Sequence, residues 1–407
     1  MNRTRTPEEA VDLLLEQTPS LETFSSVPLL EALGRVVGGD CFARIDQPPF
    51  DRSPLDGYAA RHEDLAAAGP ENPVFLTVTH KIYAGDAPKK PLGPGEAVQI
   101  ATGAPLPSGA DCVVAQENTD RGQGRVGVYV SLEKHQNCVF RGEDLRAGYL
   151  IAEKGTRLKS SHIGVLAGQG FREILVYPRP RVALLSVGDE LCPPDTQGMP
   201  LPLGMIYDSN SWTLAARVQE LGGEAHVAKR AADDGAEIAV ELEKLLESHD
   251  LVITAGGVSV GERDCMPQAG KRLGAATLFH GLGYKPGGLT LALLKDGKLI
   301  LCLSGNPFAA FMSFELLVGP VFRKLAGLKE PRCAQIQAVM RGNFPKPGPS
   351  PHRRFLRGRL AGGEVFVEKE GHASGALSSL IRCNCLIDIP AASQPPLDGS
   401  AVEVILL

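Results

Sequence analysis

The sequence predicts a multidomain protein built around a doubly wound, mainly parallel α/β domain. Three observations support this fold class. At 407 residues, the chain is longer than one hydrophobic core ordinarily serves. Between residues 181 and 326, apolar strands alternate with amphipathic helices, as in a parallel sheet covered on both faces. The flanking segments instead contain short β runs divided by proline and glycine.

The predicted α/β domain, residues 179–327, has continuous apolar strands such as RVALLSV, LVIT and KLILCLS. Continuous rather than alternating apolar residues indicate strands that are buried on both faces. The helix after the first strand should carry Trp212, Ala215, Val218 and Leu221 on its buried face and end at Gly222. The fold expected here is therefore an open sheet with helices on both sides.

The flanking segments predict different modules. Thr6 and Pro7 are typical of a helix cap and a first helical position, so a helix should open the chain. Residues 44–141 contain runs such as VFLTVTHKIYAG and predict a β-rich insert domain. Residues 328–407 return to short strands separated by turns, which predicts a small C-terminal β-barrel.

Composition and charge exclude several classes of function. The net charge of −5 provides no global basic field, so we expect no nucleic-acid partner. No apolar run has the length of a membrane span, so we also expect no membrane partner. The nine cysteines form no paired framework and are interpreted as reduced thiols of a cytoplasmic protein.

Three glycine-containing loops follow predicted strands of the α/β domain: SVGDEL, ITAGGVSVGERD and LSGNP. Ligands bind outside the carboxyl ends of the strands in such sheets, and glycine lets backbone N–H groups approach them closely. The alternative for any single loop is a tight turn that needs glycine. The spacing matches neither a dinucleotide nor a Walker A motif. The predicted ligand-binding residues are Gly256, Gly257, Ser259, Gly261, Ser304, Gly305 and Asn306.

Acidic side chains also lie just past strand ends or at helix starts. They would repel a phosphate unless a hard cation lay between, and Mg²⁺ held by carboxylates and phosphate oxygens satisfies that requirement. The alternative for the Asp233–Asp234 pair and for Asp264 is helix capping. The acids are Asp189, Glu190, Asp233, Asp234, Glu262 and Asp264.

Basic side chains concentrate elsewhere. In the strand-like stretch PHRRFLRGRL, Arg353, Arg357 and Arg359 should share one face, although a solvated barrel face is an equal alternative. Lys285 lies in a turn before Pro286 and could meet an oxyanion.

Several long motifs resemble the molybdopterin molybdenumtransferase family, which includes bacterial MoeA proteins and the E domain of gephyrin. FDRSPLDGYAA is similar to the family's F-D-N-S-A-M-D-G-Y-A, and IATGAPLPSGADCVV to I-M-T-G-A-P-V-P-x-G-A-D-A-V-V. RGEDLRAG, LLSVGDEL, IYDSN, AGGVSVGERD and LSGNP follow in family order. The resemblance extends over essentially the whole chain.

This resemblance implies an elongated homodimer of four-domain subunits, with one discontinuous domain formed here by residues 1–43 and 142–178. It implies a reaction in which adenylylated molybdopterin and molybdate are substrates. Mg²⁺ assists cleavage of the adenylate, AMP leaves, and molybdenum remains on the dithiolene. The implied partners are the molybdopterin adenylyltransferase and the molybdoenzymes that accept the cofactor.

The resemblance also carries residue roles onto matching positions. It implies catalytic roles for Asp56, Thr102, Glu190, Asp233 and Asp264, and a metal site formed by Asp189, Glu190, Asp233 and Asp264. GGVSVG would bind the pterin pyrophosphate. The implied molybdate pocket contains Lys285, Pro286, Arg357 and Ser374.

The chain departs from the family pattern at one cationic motif. The usual F-H-K-x-x-x-K-P-G-K-P is FHGLGYKPGGL here, so Gly281 and Gly288 replace two lysines and Leu289 replaces a proline. Arg52 stands where asparagine is usual. The loss of two cations should weaken oxyanion binding, because each desolvated charge-assisted contact contributes about 1.5–3 kcal/mol.

Two functional hypotheses follow. The first is a Mg²⁺-dependent insertase acting on adenylylated molybdopterin, with molybdate or tungstate as the oxyanion. The second is a non-catalytic pterin-binding or scaffolding paralogue. The retained acids Asp189, Glu190, Asp233 and Asp264 favour the enzyme, because a scaffold does not need them.

Overall fold

The computed structural model describes residues 5–19, 21–194, 200–258, 265–342, 348–367 and 373–407. Its contacts divide the chain into two compact units, each described here by itself. Unit 1 comprises Met1–Gly39, Gly155–Leu158 and Ile174–Leu407, and unit 2 comprises Asp40–Lys154 and Lys159–Glu173. The four-domain division expected from the sequence stays a prediction.

The helices and strands are numbered in chain order. The helices are α1 (Pro7–Gln17), α2 (Ser160–Gly168), α3 (Asn210–Glu220), α4 (Gly235–Ser248), α5 (Cys265–Leu273), α6 (Pro307–Ser313) and α7 (Gly319–Leu325), with a π-helical turn, Phe314–Val318, between the last two. Single 3₁₀ turns cover Leu29–Ala32, His62–Leu65, Gln116–Asn118 and Leu377–Leu380. The strands are β1 (Ser25–Pro28), β2 (Cys41–Phe42), β3 (Gly57–Ala60), β4 (Val74–Ile82), β5 (Glu96–Ile100), β6 (Cys112–Ala115), β7 (Arg125–Val128), β8 (Leu150–Ala152), β9 (Glu173–Val176), β10 (Arg181–Ser186), β11 (Leu191–Cys192), β12 (Ile206–Tyr207), β13 (Glu224–Val227), β14 (Leu251–Ala255), β15 (Ala276–His280), β16 (Tyr284–Lys285), β17 (Leu291–Lys295), β18 (Lys298–Leu303), β19 (Gln335–Arg341), β20 (Arg353–Ala361), β21 (Glu364–Phe366), β22 (Cys385–Ile389) and β23 (Ala401–Leu406).

The main sheet of unit 1 has the strand order β13-β10-β14-β18-β17-β15. The first four strands are parallel, and the last two are antiparallel to their neighbours. Val182 and Leu184 pack in a core with α1, α3, α6 and α7, whereas Ala183 and Leu185 pack in a second core with α4 and α5. Both faces of the sheet are therefore covered, and the doubly wound, mainly parallel prediction is confirmed.

The helix predicted after the first strand is present, but the prediction that Trp212 is buried in it is wrong. In α3 the buried residues are Ser211, Leu214, Ala215 and Val218. Trp212 is 54% exposed. The buried set follows the i, i+3, i+4, i+7 spacing of a helix face, and Trp212 lies off that face.

The predicted opening helix is confirmed at α1. The hydroxyl of Thr6 accepts the N–H of Glu9, and the Glu9 carboxylate accepts the N–H of Thr6. Pro7 takes the first helical position. This reciprocal capping fixes the chain where it enters α1, next to the main sheet.

The C-terminal strands of unit 1 form the small barrel that was predicted. The order β20-β21-β19-β23-β22 closes because β22 also pairs with β20. Each of the five strands therefore pairs with two neighbours within the ring. The short strand β16 pairs with the first two residues of β20, so Lys285 is held by the barrel as well as by its own turn.

Unit 2 contains the predicted β-rich insert, with a five-stranded sheet ordered β6-β3-β5-β4-β7. Tyr58, Leu76, Val114 and Val126 are buried in its core. In the part of the chain that the structure describes, no helix is long and apolar enough to cross a membrane.

Candidate functional site

The described parts of the three glycine-containing loops predicted from the sequence meet at one edge of the main sheet. The backbone N–H of Val187 donates to Ala255 O, and that of Gly256 donates to Leu303 O. A Cβ on Gly256 would lie 2.2 Å from Val187 O, and its φ is +99°. Only glycine fits this close approach, so the loops after β10, β14 and β18 form one continuous surface.

The first cavity at this edge has a volume of about 710 Å³ and is named the acidic cavity. Glu190, Asp208 and Asp233 supply its charged groups, and no lysine, arginine or histidine is among its described lining residues. The predicted ligand-binding residues that also line it are Gly256, Gly257, Ser304, Gly305 and Asn306.

The two adjacent aspartates before α4 have different roles. The Asp234 carboxylate accepts the N–H groups of Ala236 at 2.7 Å and Glu237 at 3.1 Å. These backbone hydrogen bonds, with that of Glu237 the larger contribution, hold the pKa of Asp234 below its usual value. Asp233 instead lines the acidic cavity, and its one hydrogen bond among the described residues is a weak one, from Cys265 Sγ at 3.6 Å. Capping therefore explains Asp234 but not Asp233.

The adjacent residues Asp189 and Glu190 also differ in whether they line the acidic cavity. Arg230 Nη1 lies 3.9 Å from Asp189 Oδ1, and Asp189 is not among the described residues lining the acidic cavity. Glu190 lines that cavity, and its backbone carbonyl accepts the N–H of Ile206 at 2.9 Å. Of the two, Glu190 is the carboxylate placed for a ligand.

Sequence reasoning missed Asp208. Its carboxylate accepts the hydroxyls of Ser186 at 2.7 Å and Ser211 at 2.5 Å, together with the backbone N–H of Ser211 at 3.1 Å. Asp208 lines the acidic cavity and fixes the end of β10 to the start of α3. Its position in IYDSN, directly after the short strand β12, is the signal that could have identified it.

The donor set of the acidic cavity suits Mg²⁺. Glu190 and Asp233 are exposed carboxylates, the ligand type that this hard cation prefers, whereas the Asp208 oxygens are occupied by serine donors. Among the described residues, no three acidic, histidine or cysteine side chains already converge as a metal cluster. Two carboxylates with phosphate oxygens would complete such a site. The predicted Ser259, Gly261 and Asp264 lie outside the described residues.

The second cavity adjoins the first, with Leu289, Ser304 and Asn306 lining both. It has a volume of about 750 Å³ and is named the basic cavity. Arg5, His280, Lys285 and His352 line it, and no carboxylate is among its described lining residues. The two cavities thus have opposite charge.

Three predicted oxyanion residues line the basic cavity: Lys285, Pro286 and Ser374. Lys285 is on β16, whose parallel pairing with β20 sets its register against Arg354. The Ser374 carbonyl accepts the N–H of Phe308 at 2.9 Å, which ties the barrel loop to the start of α6. The main sheet and the barrel therefore both contribute to this cavity.

Gly281 and Gly288, which stand where the family motif has lysine, differ in the space available for a side chain. A Cβ on Gly288 would lie 2.3 Å from Tyr284 O and 2.7 Å from Leu282 O, so no side chain fits. At Gly281 the nearest atom to a Cβ would be 3.9 Å away, but φ is +89°. Lysine is excluded at Gly288 by contact and disfavoured at Gly281 by backbone strain.

Arg357 is placed differently from the other predicted oxyanion residues. It is 2% exposed and is not among the described residues lining the basic cavity. Its guanidinium donates to the carbonyls of Ala373 at 2.9 Å and Ala376 at 3.2 Å, and to the Ser379 hydroxyl. Burial lowers its pKa. In this arrangement Arg357 holds the loop that carries Ser374.

The other arginines of β20 also have partners. Arg353 donates to Asp388 and to Glu8, at 2.7 Å and 2.5 Å. The guanidinium carbon of Arg359 lies 4.6 Å from the centroid of the Phe366 ring. The arginine face of this strand therefore stabilises the barrel and its contact with α1.

Asp56 and Thr102, both predicted as catalytic, are brought together in unit 2. Asp56 Oδ1 accepts the backbone N–H of Thr102 at 2.7 Å and its hydroxyl at 2.9 Å. The backbone hydrogen bond makes the largest contribution, and the hydroxyl the next, to a pKa of Asp56 below its usual value. This carboxylate is therefore held ionised.

Comparison with family models covers most of the chain. Residues 5–170 match the MoeA N-terminal region (domain I and II). Residues 183–324 match a probable molybdopterin binding domain, and residues 337–407 match the MoeA C-terminal region (domain IV). Both cavities are formed largely by the second and third of these matched regions.

Similar proteins extend over the full length. Proteins named molybdopterin molybdenumtransferase are 34% identical in Staphylococcus aureus, covering 98% of this chain and 94% of the relative, and in Staphylococcus epidermidis, covering 99% and 96%. A crystal structure of a molybdopterin biosynthesis moeA protein from Pyrococcus horikoshii OT3 superposes with a TM-score of 0.86, at 30% identity and 100% coverage of both chains. The resemblance stated from the motifs is thus confirmed, and the chain belongs to the MoeA family, a family of molybdopterin molybdenumtransferases that act in molybdenum cofactor biosynthesis.

Proposed function

We propose that this protein inserts molybdenum from molybdate into adenylylated molybdopterin and releases AMP, with Mg²⁺ as the resident cation. The observation that supports the proposal most strongly is the adjacency of the acidic and basic cavities. An enzyme that joins a metal oxyanion to a phosphorylated pterin needs one site for each substrate. The residues shared by the two cavities, Leu289, Ser304 and Asn306, mark where those substrates would meet.

In the acidic cavity, we assign the pyrophosphate linkage of adenylylated molybdopterin to the surface around Gly256 and Gly257. Glycine backbone lets a phosphate oxygen approach the main chain without a side chain in the way. Glu190 and Asp233 would hold Mg²⁺ against that linkage. When bound, the ion would neutralise phosphate charge and polarise the phosphoryl group.

In the basic cavity, we assign molybdate to Lys285 and Ser374. An ammonium group and a hydroxyl can donate to two oxygens of a tetrahedral dianion. Arg357 supports this pocket indirectly, because it binds the carbonyls on both sides of Ser374. Its sequence-predicted role as a direct oxyanion ligand stays a prediction.

The proposed reaction balances with one water consumed and one released. Hydrolysis of the phosphoanhydride consumes a water and gives AMP and molybdopterin, which keeps its own phosphate group. The two dithiolene thiols then bind molybdenum, and their protons leave with one oxo group as water. No electrons are exchanged, so neither a reductant nor an oxidant is required.

Asp56 and Thr102 of unit 2 remain proposed catalytic residues. Thr102 holds the Asp56 carboxylate ionised, so Asp56 would act as an anion or as a proton acceptor rather than as a donor.

We also propose a homodimer. All nine cysteines are free thiols, which accords with the cytoplasmic location that we propose. Light scattering that gives the mass of one chain at micromolar concentration would rule out the dimer.

The function is tested by incubating the full chain with adenylylated molybdopterin, Mg²⁺ and either molybdate or tungstate, and measuring AMP. We expect AMP release that depends on both the ion and an oxyanion, and the preferred oxyanion identifies the substrate. Tight binding of the pterin with no AMP release under either condition would contradict the enzyme and favour the scaffolding alternative.

A further inference from the structure

Arg5 lines the basic cavity although it comes from the N-terminal segment, far in sequence from the other residues of that cavity. Of the lining residues that the structure describes, Arg5 and Lys285 are the only lysine or arginine side chains. Arg5 has no carboxylate partner among the described residues, in contrast to Arg353, which pairs with Asp388. No carboxylate among the described residues therefore competes with a ligand for Arg5.

Three contacts fix where Arg5 lies. Thr6, the next residue, is the N-cap of α1 and is held by the reciprocal hydrogen bonds with Glu9. The carbonyl of Arg5 accepts the N–H of Gly283 at 3.0 Å, two residues before Lys285. Arg5 Nη1 donates to Leu278 O at 2.9 Å. Backbone and side chain are thus both attached to the segment that forms the cavity wall.

Among the residues that the structure describes, the guanidinium of Arg5 makes one hydrogen bond. An arginine has five N–H donors, and the bond to Leu278 O uses one of them. The remaining donors form a planar fork that can bind two oxygens of an oxyanion, with a charge that persists at any physiological pH. The cavity itself offers no anion among its described lining residues to compete for that fork.

We propose that Arg5 is an oxyanion-binding residue and supplies, beside Lys285, the second fixed positive charge of the basic cavity. The ligand class is a tetrahedral dianion such as molybdate or tungstate. This inference rests on the proposed function in its assignment of the oxyanion to this cavity. It also explains how the basic cavity has a second cation although glycine stands at positions 281 and 288. Arg5 supplies that positive charge from the N-terminal segment.

The test compares molybdate binding by the full chain and by Arg5→Gln, Arg5→Lys and Arg332→Gln. Binding is measured directly by equilibrium dialysis with metal analysis, with sulfate as a competing anion of the same charge and shape. Arg332 is a matched control, because it pairs with Asp12 of α1 but does not line the basic cavity. Its loss removes one positive charge near α1 and leaves the cavity intact.

We expect Arg5→Gln to weaken molybdate binding about 10-fold to 100-fold, which corresponds to the loss of one charge-assisted contact. Arg5→Lys should lose less, and Arg332→Gln should bind like the parent. Pterin affinity should be unchanged in all three variants. Equal molybdate affinity in Arg5→Gln and the parent would overturn the inference, as would an equal loss in Arg332→Gln.

Failure of the inference can be separated from failure of the proposed function. Oxyanion-dependent AMP release by the parent, with the same oxyanion dependence in Arg5→Gln, would overturn the role of Arg5 and leave the function standing. Arg5-dependent molybdate binding without AMP release would support the role of Arg5 and contradict the insertase.

Discussion

The guanidinium carbon of Arg357 lies 3.7 Å from the centroid of the Phe308 ring. Arg357 is on the barrel strand β20, and Phe308 is in the first turn of α6, directly after the LSGNP loop. This cation–π contact joins the barrel to the helix that follows a binding loop. Arg357 also binds the loop that carries Ser374, so the position of Ser374 relative to Asn306, the N-cap of α6, depends on Arg357.

Arg357→Ala should destabilise the protein and weaken oxyanion binding together. The substitution removes the donor to Ala373 O and Ala376 O and the stacking on Phe308, which we expect to cost about 3 kcal/mol of the free energy of unfolding. Denaturant unfolding and the oxyanion dependence of AMP release provide the two measurements. Arg359→Ala, on the exposed part of the same strand, is the control. Unchanged stability with lost oxyanion binding would instead identify Arg357 as a direct ligand.

Asp233→Asn should abolish most activity without altering stability. Asp233 lines the acidic cavity and makes one weak hydrogen bond to the described residues, so the change removes a proposed Mg²⁺ ligand while preserving shape. We expect AMP release to fall about 100-fold, equivalent to about 2.7 kcal/mol of lost charge stabilisation. The matched control is Asp234→Asn, because asparagine still caps α4. A parent rate in Asp233→Asn, or an equal loss in Asp234→Asn, would refute this division of roles.

Thr102→Val should raise the pKa of Asp56 only part of the way to its ordinary value. Valine removes the hydroxyl hydrogen bond, but the backbone N–H of Thr102, which contributes most to the shift, remains. Thr102→Ser keeps both donors and should leave the pKa unchanged. A pH titration of the Asp56 carboxyl carbon by NMR measures both variants. No change with valine would show that the hydroxyl bond is absent in solution.

The same pair predicts a pH dependence of stability. The folded-state pKa of Asp56 lies below the unfolded value of about 3.9, so its contribution is present above that pH. It is lost as pH falls through the folded pKa. The stability difference between the parent and Asp56→Asn, measured by denaturant unfolding, should therefore shrink below about pH 4. A difference that stays constant from pH 6 to pH 3 would contradict the prediction.

Gly281→Lys should bind oxyanion more tightly than the parent at some cost in stability. The position has open space, but its φ of +89° should cost an L-residue about 1–2 kcal/mol. Gly281→Ala carries the same backbone cost without the charge and is the matched control. We expect the half-saturating oxyanion concentration to fall about tenfold in the lysine variant alone. If both variants behave alike, the added cation does not reach the basic cavity.

Much of the site could be predicted because it follows from local rules. The loops after β10, β14 and β18 contain glycines that a parallel sheet brings to one edge, and the contact of Gly256 with Val187 O confirms that expectation. The closure of the barrel was also predictable from its short strands. These features depend on periodicity and glycine spacing, both of which the sequence displays directly.

Other features depend on contacts between distant residues, which periodicity does not reveal. Asp233 and Asp234 are equivalent in the sequence, and only the start of α4 determines which one caps. Arg357 shares a strand face with exposed and ion-paired arginines, yet it is buried under α6. Arg5 joins the basic cavity through bonds to Gly283 and Leu278, more than 270 residues away.

We propose that this one protein couples AMP release to molybdenum insertion. The most direct test measures AMP and pterin-bound molybdenum in the same reaction with adenylylated molybdopterin, Mg²⁺ and molybdate. We expect one molybdenum bound to the dithiolene for each AMP released. AMP release that leaves the pterin free of molybdenum, or no AMP release at all, would contradict it.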